Sequence, residues 1–194
     1  MLVNTRVRRV MQFVDAVKTK AEVDQISHKL LLNAKGNTLY SDIWAFVLQV
    51  ALRISDLLTI TMAEAKSGRL ALKEGKTGKH RLLKLNEKAQ AIVESRSKRY
   101  PDHEYLFQVE SNRAKGKPVS RVAVAVAFKA VGDELGIALG THSMRKTRGW
   151  VMHKAGASIE LICKVLNHSN PSTTMLYLGL TQAEIDSTYD DFVI

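Results

Sequence analysis

Two arginines, two histidines and one tyrosine, spread over four segments of this chain, are residue types that together can cut a phosphodiester without a metal. The segments are Leu52-Arg53-Ile54-Ser55-Asp56-Leu57-Leu58, His142-Ser143-Met144-Arg145, Leu166-Asn167-His168 and Ser172-Thr173-Thr174-Met175-Leu176-Tyr177. Such a cut needs a nucleophile, cations on the non-bridging oxygens and an acid for the leaving oxygen. Arginine suits the clamp because its planar, permanently charged fork makes paired hydrogen bonds to phosphate. His142 and Arg145 stand three residues apart at the start of an expected helix, so they share a face, and the N-terminal amides of that helix attract an anion. Each signal is weak alone. His-x-x-Arg is most often a capping histidine and a surface arginine, a histidine in a turn such as 167–171 usually caps or faces solvent, and a lone tyrosine is usually half-buried core.

The elements that must position these residues read as mainly helical. Thr5 to Lys20 can form a basic amphipathic helix (Val7, Val10, Phe13, Val14, Val17), either a DNA-touching arm or the first helix of the domain. We therefore divide the chain into residues 1–20 and a domain over 21–194. Asp24–Leu32 is an expected helix ended by Lys35-Gly36-Asn37, and Ser41–Val50 reads as a buried helix leading into Arg53. From Arg69 to Leu85 the apolar period changes to two, with Gly75–Gly78 as a turn, which predicts a β-hairpin with a basic tip. Helices are expected again over Asn86–Arg99, Ser120–Leu135 (ended by Gly136), Ser143–Ala155 (ended by Gly156), Ser158–Asn167 and Thr173–Leu178. Pro101–Pro118 is a loop-rich connection anchored by Tyr105-Leu106-Phe107. The class is α+β, mainly α-helical, with a small antiparallel hairpin at one edge.

Composition narrows the function. A chain of 194 residues with 45% hydrophobic residues can bury one core of ordinary size. It has no apolar run long enough to span a bilayer and no secretory leader pattern, so the expected compartment is the cytoplasm, without a membrane partner. Cys163 is the only cysteine, which excludes an internal disulfide and a cysteine-based zinc site; its apolar neighbours Ile159, Ile162 and Leu166 mark it as core filler. The net charge of +10 favours an anionic partner, and it is uneven. Lys66 to Arg99 carries 11 Lys/Arg against 3 acids, whereas Gly179 to Ile194 carries four acids and no Lys or Arg. A basic middle and an acidic, apolar tail call for different partners.

In their order and spacing these boxes resemble those of the tyrosine recombinases, the phage-integrase family. Present are an arginine box (Ala51–Leu57), a lysine hairpin (Gly75-Lys76-Thr77-Gly78-Lys79-His80-Arg81), a His-x-x-Arg box, and a Leu-x-His segment with tyrosine nine residues after the histidine. The resemblance covers about residues 21–185. It implies the fold of that catalytic domain, with Tyr177 as nucleophile, Arg53 and Arg145 as phosphate clamps, and His142 and His168 as hydrogen-bonding or proton-managing partners. Lys76 would protonate the departing 5′ oxygen, with Lys79 as runner-up. Asp56 matches the family's acidic support position, and Lys79 and Arg81 are expected on DNA. Two positions depart from the pattern: Lys146 replaces a frequent second histidine after the arginine, and Asn167 replaces the usual glycine before His168.

The implied activity is site-specific cleavage and rejoining of double-stranded DNA through a 3′-phosphotyrosyl intermediate, serving integration, excision or inversion. No cofactor and no metal are expected: the covalent bond conserves the phosphodiester energy, and the six histidines form no H-E-x-x-H or comparable cluster. Gly75-Lys76-Thr77 is a decoy for a P-loop, because Leu70 stands where its first glycine is required. The resemblance further implies a homotetramer on DNA, coupled through the tail at about 185–194 with Phe192, Val193 and Ile194 as anchor. An accessory DNA-bending protein is a candidate partner, and the DNA-bound protein would be nucleoid-associated. The chain reads either as a catalytic fragment of a longer integrase or as a naturally short recombinase like the fimbrial phase-variation inverters. Competing readings are a DNA-binding regulator, with Ser158–Leu178 as helix-turn-helix, or an inactive relative without cleavage, and a type IB topoisomerase.

Overall fold

Side-chain caps decide where the helices begin. In the computed structural model, which describes residues 14–111, 114, 116–180 and 190, α1 (Lys20–Asn33) opens on a reciprocal box in which Thr19 accepts from the Glu22 amide and Glu22 from the Thr19 amide. Helix therefore starts ahead of the expected Asp24, whose carboxylate instead pairs with Lys20 one turn away. The same box corrects the last part of the expected helix over Thr5–Lys20. Residues 14–18 are non-helical, tied down by the Asp15 amide on the Ala138 carbonyl at 2.9 Å and the Val17 amide on the Thr147 hydroxyl at 2.8 Å. Residues 5–13 lie outside the described residues.

The central helix α2 (Leu39–Val50) is apolar on several sides and stops at Ala51, which takes a left-handed conformation (φ 51°). Two short helices follow, α3 (Ile54–Leu57) and α4 (Met62–Lys66), the second opened by a Thr61–Glu64 capping box. Neither is legible as a period in the sequence, since one turn holds too few residues to show one. The hairpin forms as expected: β1 (Arg69–Lys73) pairs antiparallel with β2 (His80–Lys84) in the register Leu70 to Leu83 and Lys73 to His80.

Asn86, Ser120, Ser158 and Asn170 each cap the next helix with a side-chain oxygen on the amide three residues on. Those helices are α5 (Glu87–Arg99), α6 (Arg121–Leu135), α8 (Ile159–Leu166) and α9 (Pro171–Leu178), with α7 (Ser143–Lys154) between α6 and α8. Gly136 and Asn167 end α6 and α8 in the left-handed region. That explains the asparagine at 167: after glycine, it is the residue that adopts this conformation most readily.

The core surrounds α2. Trp44 and Phe46 are fully buried, Trp44 edge-on to Phe128 of α6 at 5.9 Å and Phe46 edge-on to Phe107 at 5.6 Å. Leu106 and Phe107 anchor the long connection, the Leu106 amide bonding the Ile60 carbonyl at 2.9 Å. A second, smaller cluster joins Ala51, Ile162, Leu166 and Leu178, with Tyr177 packed against it. Gly149 on α7 permits this closure, for a Cβ there would stand 2.9 Å from Leu178 Cδ2 and 3.2 Å from Leu166 Cδ1. Close approach of α8 and α9 to α7 is what brings the last two boxes to the others.

Candidate active site

The described fold brings together residues from all four segments and the hairpin. Arg145, on the first turn of α7, is almost wholly buried, with Nη1 donating to the Ala51 carbonyl and Nη2 to the Leu166 carbonyl at 2.6 Å. Those carbonyls end α2 and α8, where the helix dipole leaves partial negative charge. Arg53 and His168 each follow two residues later. Arg145 therefore ties the arginine box to the histidine box while facing the tyrosine: burial lowers its pKa, Tyr177 acts the other way, and Arg53 and Arg81 add like-charge repulsion.

Arg53 caps α3 with extended backbone and donates through Nη1 to the Glu74 carboxylate. Its side chain is 13% exposed and that of Glu74 is not exposed at all. Asp56 is buried and accepts the Gly75 amide on Oδ1 at 3.0 Å. It thus supports the base of the lysine turn, and it meets Arg53 through the backbone, the Asp56 amide donating to the Arg53 carbonyl at 3.0 Å, while the Arg53 side chain goes to Glu74.

Arg81 differs from the expectation. Its guanidinium is not turned out for DNA but donates to the Val50 carbonyl at 3.0 Å, the Val165 carbonyl at 2.6 Å, the Ala51 carbonyl at 3.4 Å and Glu74 at 3.3 Å. Its side chain is 10% exposed, so this β2 position, on the same strand face as the half-buried Leu83, serves as a staple. Lys76 and Lys79, by contrast, are exposed on the turn, which is closed by the Glu74 amide on the Lys79 carbonyl at 3.0 Å and the Gly78 amide on the Glu74 carbonyl at 2.8 Å. After burial and the nearer arginines, the charge of Lys76 also lowers the pKa of His142, and that of Lys79 the pKa of His168.

His142 occupies the N-cap position of α7, but its side chain makes no capping hydrogen bond. Desolvation, then the charges of Arg145, Lys76, Arg53 and Arg121, holds its pKa below the ordinary value. His168 is lowered further, to about 4, by burial first and then by Arg145 and Arg53, so it is neutral at pH 7. Its Nδ1 lies 3.0 Å from the Thr174 hydroxyl, and its ring meets Tyr177 edge-on at 5.0 Å. Tyr177 donates its hydroxyl to the His142 carbonyl at 3.2 Å, and Lys146 Nζ lies 5.5 Å from its ring centre. Burial raises the Tyr177 pKa, opposed by Arg145 and Arg53. Beside it opens a cleft of about 550 Å³ lined by Lys18, Lys146, Trp150 and Tyr177.

Sequence reasoning missed Glu74 and Thr174. An acid in a basic hairpin and a threonine in a Thr-Thr pair have no distinguishing pattern, and both acquire meaning only from what they touch. The α8–turn–α9 pair has the outline of a helix-turn-helix, yet α9 buries Thr174 and Leu178 and packs Tyr177 on His168. Among the described residues, no group of three or more His, Cys, Asp or Glu side chains could hold a metal ion, and no helix is long and apolar enough to cross a membrane.

Comparison with known proteins adds three findings. The model of the phage integrase family matches residues 5–184. Among curated proteins, the chain is 28% identical over 184 residues to a probable integrase/recombinase, YoeC, of Bacillus subtilis, covering 94% of this chain and 98% of that one. It is 30% identical over 169 residues to tyrosine recombinase XerA of Thermococcus onnurineus, covering 84% of this chain and 57% of the relative, so it spans little more than half of that protein. Among solved structures, the crystal structure of XerA recombinase aligns with a TM-score of 0.67 at 19% identity, over 92% of this chain and 66% of that one. A lambda integrase dimer bound to a COC' core site aligns with a TM-score of 0.65 at 16% identity, over 86% of this chain and 48% of that one. At those identities the structural matches establish the fold, which is the expected α+β, mainly helical one with a two-stranded antiparallel sheet.

Proposed function

This chain belongs to the phage integrase family, and from that premise we propose that it is a site-specific tyrosine recombinase that cleaves and rejoins double-stranded DNA. One observation carries the reading: Tyr177 lies against His168 and on the His142 carbonyl, with the buried Arg145 beneath. The Tyr177 oxygen attacks a DNA phosphorus, the bond to the 5′ oxygen breaks, and a 3′-phosphotyrosyl bond and a 5′-hydroxyl result. A 5′-hydroxyl from a partner strand reverses the step in a new arrangement.

Arg53 and Arg145 neutralise the non-bridging oxygens as charge accumulates, and Lys76 delivers the proton to the departing oxygen. His168, neutral and held at Nδ1 by Thr174, offers its other nitrogen to the tyrosine proton or a phosphate oxygen. The His142 imidazole is a second such hydrogen-bonding partner. Lys79, exposed on the turn, contacts the DNA backbone. Assembly into a tetramer through Phe192, Val193 and Ile194 is part of the same proposal; these tail residues lie outside the described residues.

The direct test is a suicide substrate carrying the target site. Wild-type protein should form a covalent DNA adduct that Tyr177→Phe abolishes. An adduct that persists in Tyr177→Phe and vanishes in Tyr189→Phe would overturn the assignment.

A further inference from the structure

A carboxylate with no exposure is an unexpected neighbour for a phosphate-binding arginine. Glu74 is held by two cations and a hydroxyl: Arg53 Nη1 donates to it, Arg81 Nη1 donates at 3.3 Å, and the Thr77 hydroxyl donates at 2.9 Å. Burial pushes its pKa up, but the Asn167 amide, Thr77 and Arg53 outweigh this and hold it below the usual carboxylate range, so the group is ionised.

Its place is set by the turn it belongs to, since its own amide and carbonyl close the hairpin tip. The exposure of the pair is one-sided. Solvent reaches 13% of the Arg53 side chain and none of Glu74. An incoming phosphate can therefore reach Arg53 but not Glu74, and the carboxylate holds the guanidinium from the buried side. The brace also offsets repulsion, because Arg53, Arg81 and Arg145 share one crevice.

We propose that Glu74 is a positioning residue for strand cleavage, its buried carboxylate orienting the Arg53 guanidinium towards the scissile phosphate. The inference rests on the cleavage reading above.

The experiment measures adduct formation by wild type, Glu74→Gln and Glu74→Asp on three versions of a suicide substrate. One has an ordinary phosphodiester. The second has a methylphosphonate at the scissile position, which lacks one anionic oxygen. The third has a 5′-phosphorothiolate, whose sulfur leaves without a proton. Glu74→Gln should slow cleavage of the phosphodiester and the phosphorothiolate by about 10²-fold, and that of the methylphosphonate by less than about tenfold, since a misplaced clamp matters most where charge is greatest. DNA binding and the circular dichroism spectrum should match wild type.

Wild-type rates on the phosphodiester overturn the proposal. Equal slowing on all three substrates also overturns it, as that marks a merely structural role; rescue by phosphorothiolate alone would assign Glu74 to Lys76 instead. Should Glu74→Gln not fold, Glu74→Asp decides: a phosphodiester defect relieved on methylphosphonate supports the proposal, and wild-type behaviour overturns it. Wild-type protein that forms no adduct on any substrate removes the cleavage reading, and this proposal with it.

Discussion

Arg81 of β2 and Arg145 of α7 hold the same two helix ends. Arg81 reaches the Val50 and Val165 carbonyls, and Arg145 the neighbouring Ala51 and Leu166 carbonyls. Two cations from distant parts of the chain thus bind the C-termini of α2 and α8 side by side. Ala51, held in the left-handed region, receives hydrogen bonds from both, so a conformation unfavourable for alanine by roughly 1 kcal/mol is secured by its surroundings. Arg53 and His168 leave this junction in fixed relation.

Arg81 should therefore matter to stability and Lys79 to DNA. Arg81→Ala leaves two helix-end carbonyls and part of Glu74 without a donor, and should lower unfolding free energy by about 2–4 kcal/mol in urea titrations. Lys79→Ala should leave that titration unchanged and reduce the salt slope of DNA binding by about one counterion. The opposite assignment of effects would return Arg81 to the DNA surface.

Proton release should separate the two hairpin lysines. A 5′-phosphorothiolate leaving group needs no acid, so it should restore cleavage to Lys76→Ala to within about tenfold of wild type on the same substrate. Lys79→Ala should show no selective rescue. Rescue of Lys79→Ala alone would exchange the two roles.

The pKa of His168 is lowered from 6.5 to about 4 in the folded protein, chiefly by burial. The unfolded chain then binds more protons than the native one within that interval, so stability rises with pH across it. The contribution is complete above about pH 6.5 and is lost as pH falls towards 4. Thermal melts over this range should show a steeper decline for wild type than for His168→Gln; equal slopes would show that His168 titrates normally.

Thr174 is buried and bonds His168 Nδ1. Thr174→Val keeps the shape and removes the partner, and should cost about 1 kcal/mol in stability and about tenfold or more in adduct formation, with DNA affinity unchanged. Thr174→Ser should recover most of the rate. A Thr174→Val protein as active as wild type would show that the imidazole needs no such hold.

Local rules carried far along this chain. The hairpin and the five later helices follow from period and turn chemistry that act within a few residues, although α9 opens at Pro171, capped by Asn170, and not at the expected Thr173. The same rules misjudged Val14–Lys18, because what holds that strap extended is Ala138 and Thr147, far away in sequence. They were silent on α3 and α4, whose lengths of four and five residues carry no readable period.

Which residue types stand ready for phosphate chemistry, in what order and on which kind of element, was legible along the chain, because spacing and side-chain chemistry are local properties. What each charge faces came from packing. It turned Arg81 inward as a staple and left Lys76 and Lys79 outside. It set Asp56 under the lysine turn and placed Glu74 on Arg53. The physical reason is that an ionised group's role depends on burial and on partners brought near by packing, and neither is encoded at the group's own position.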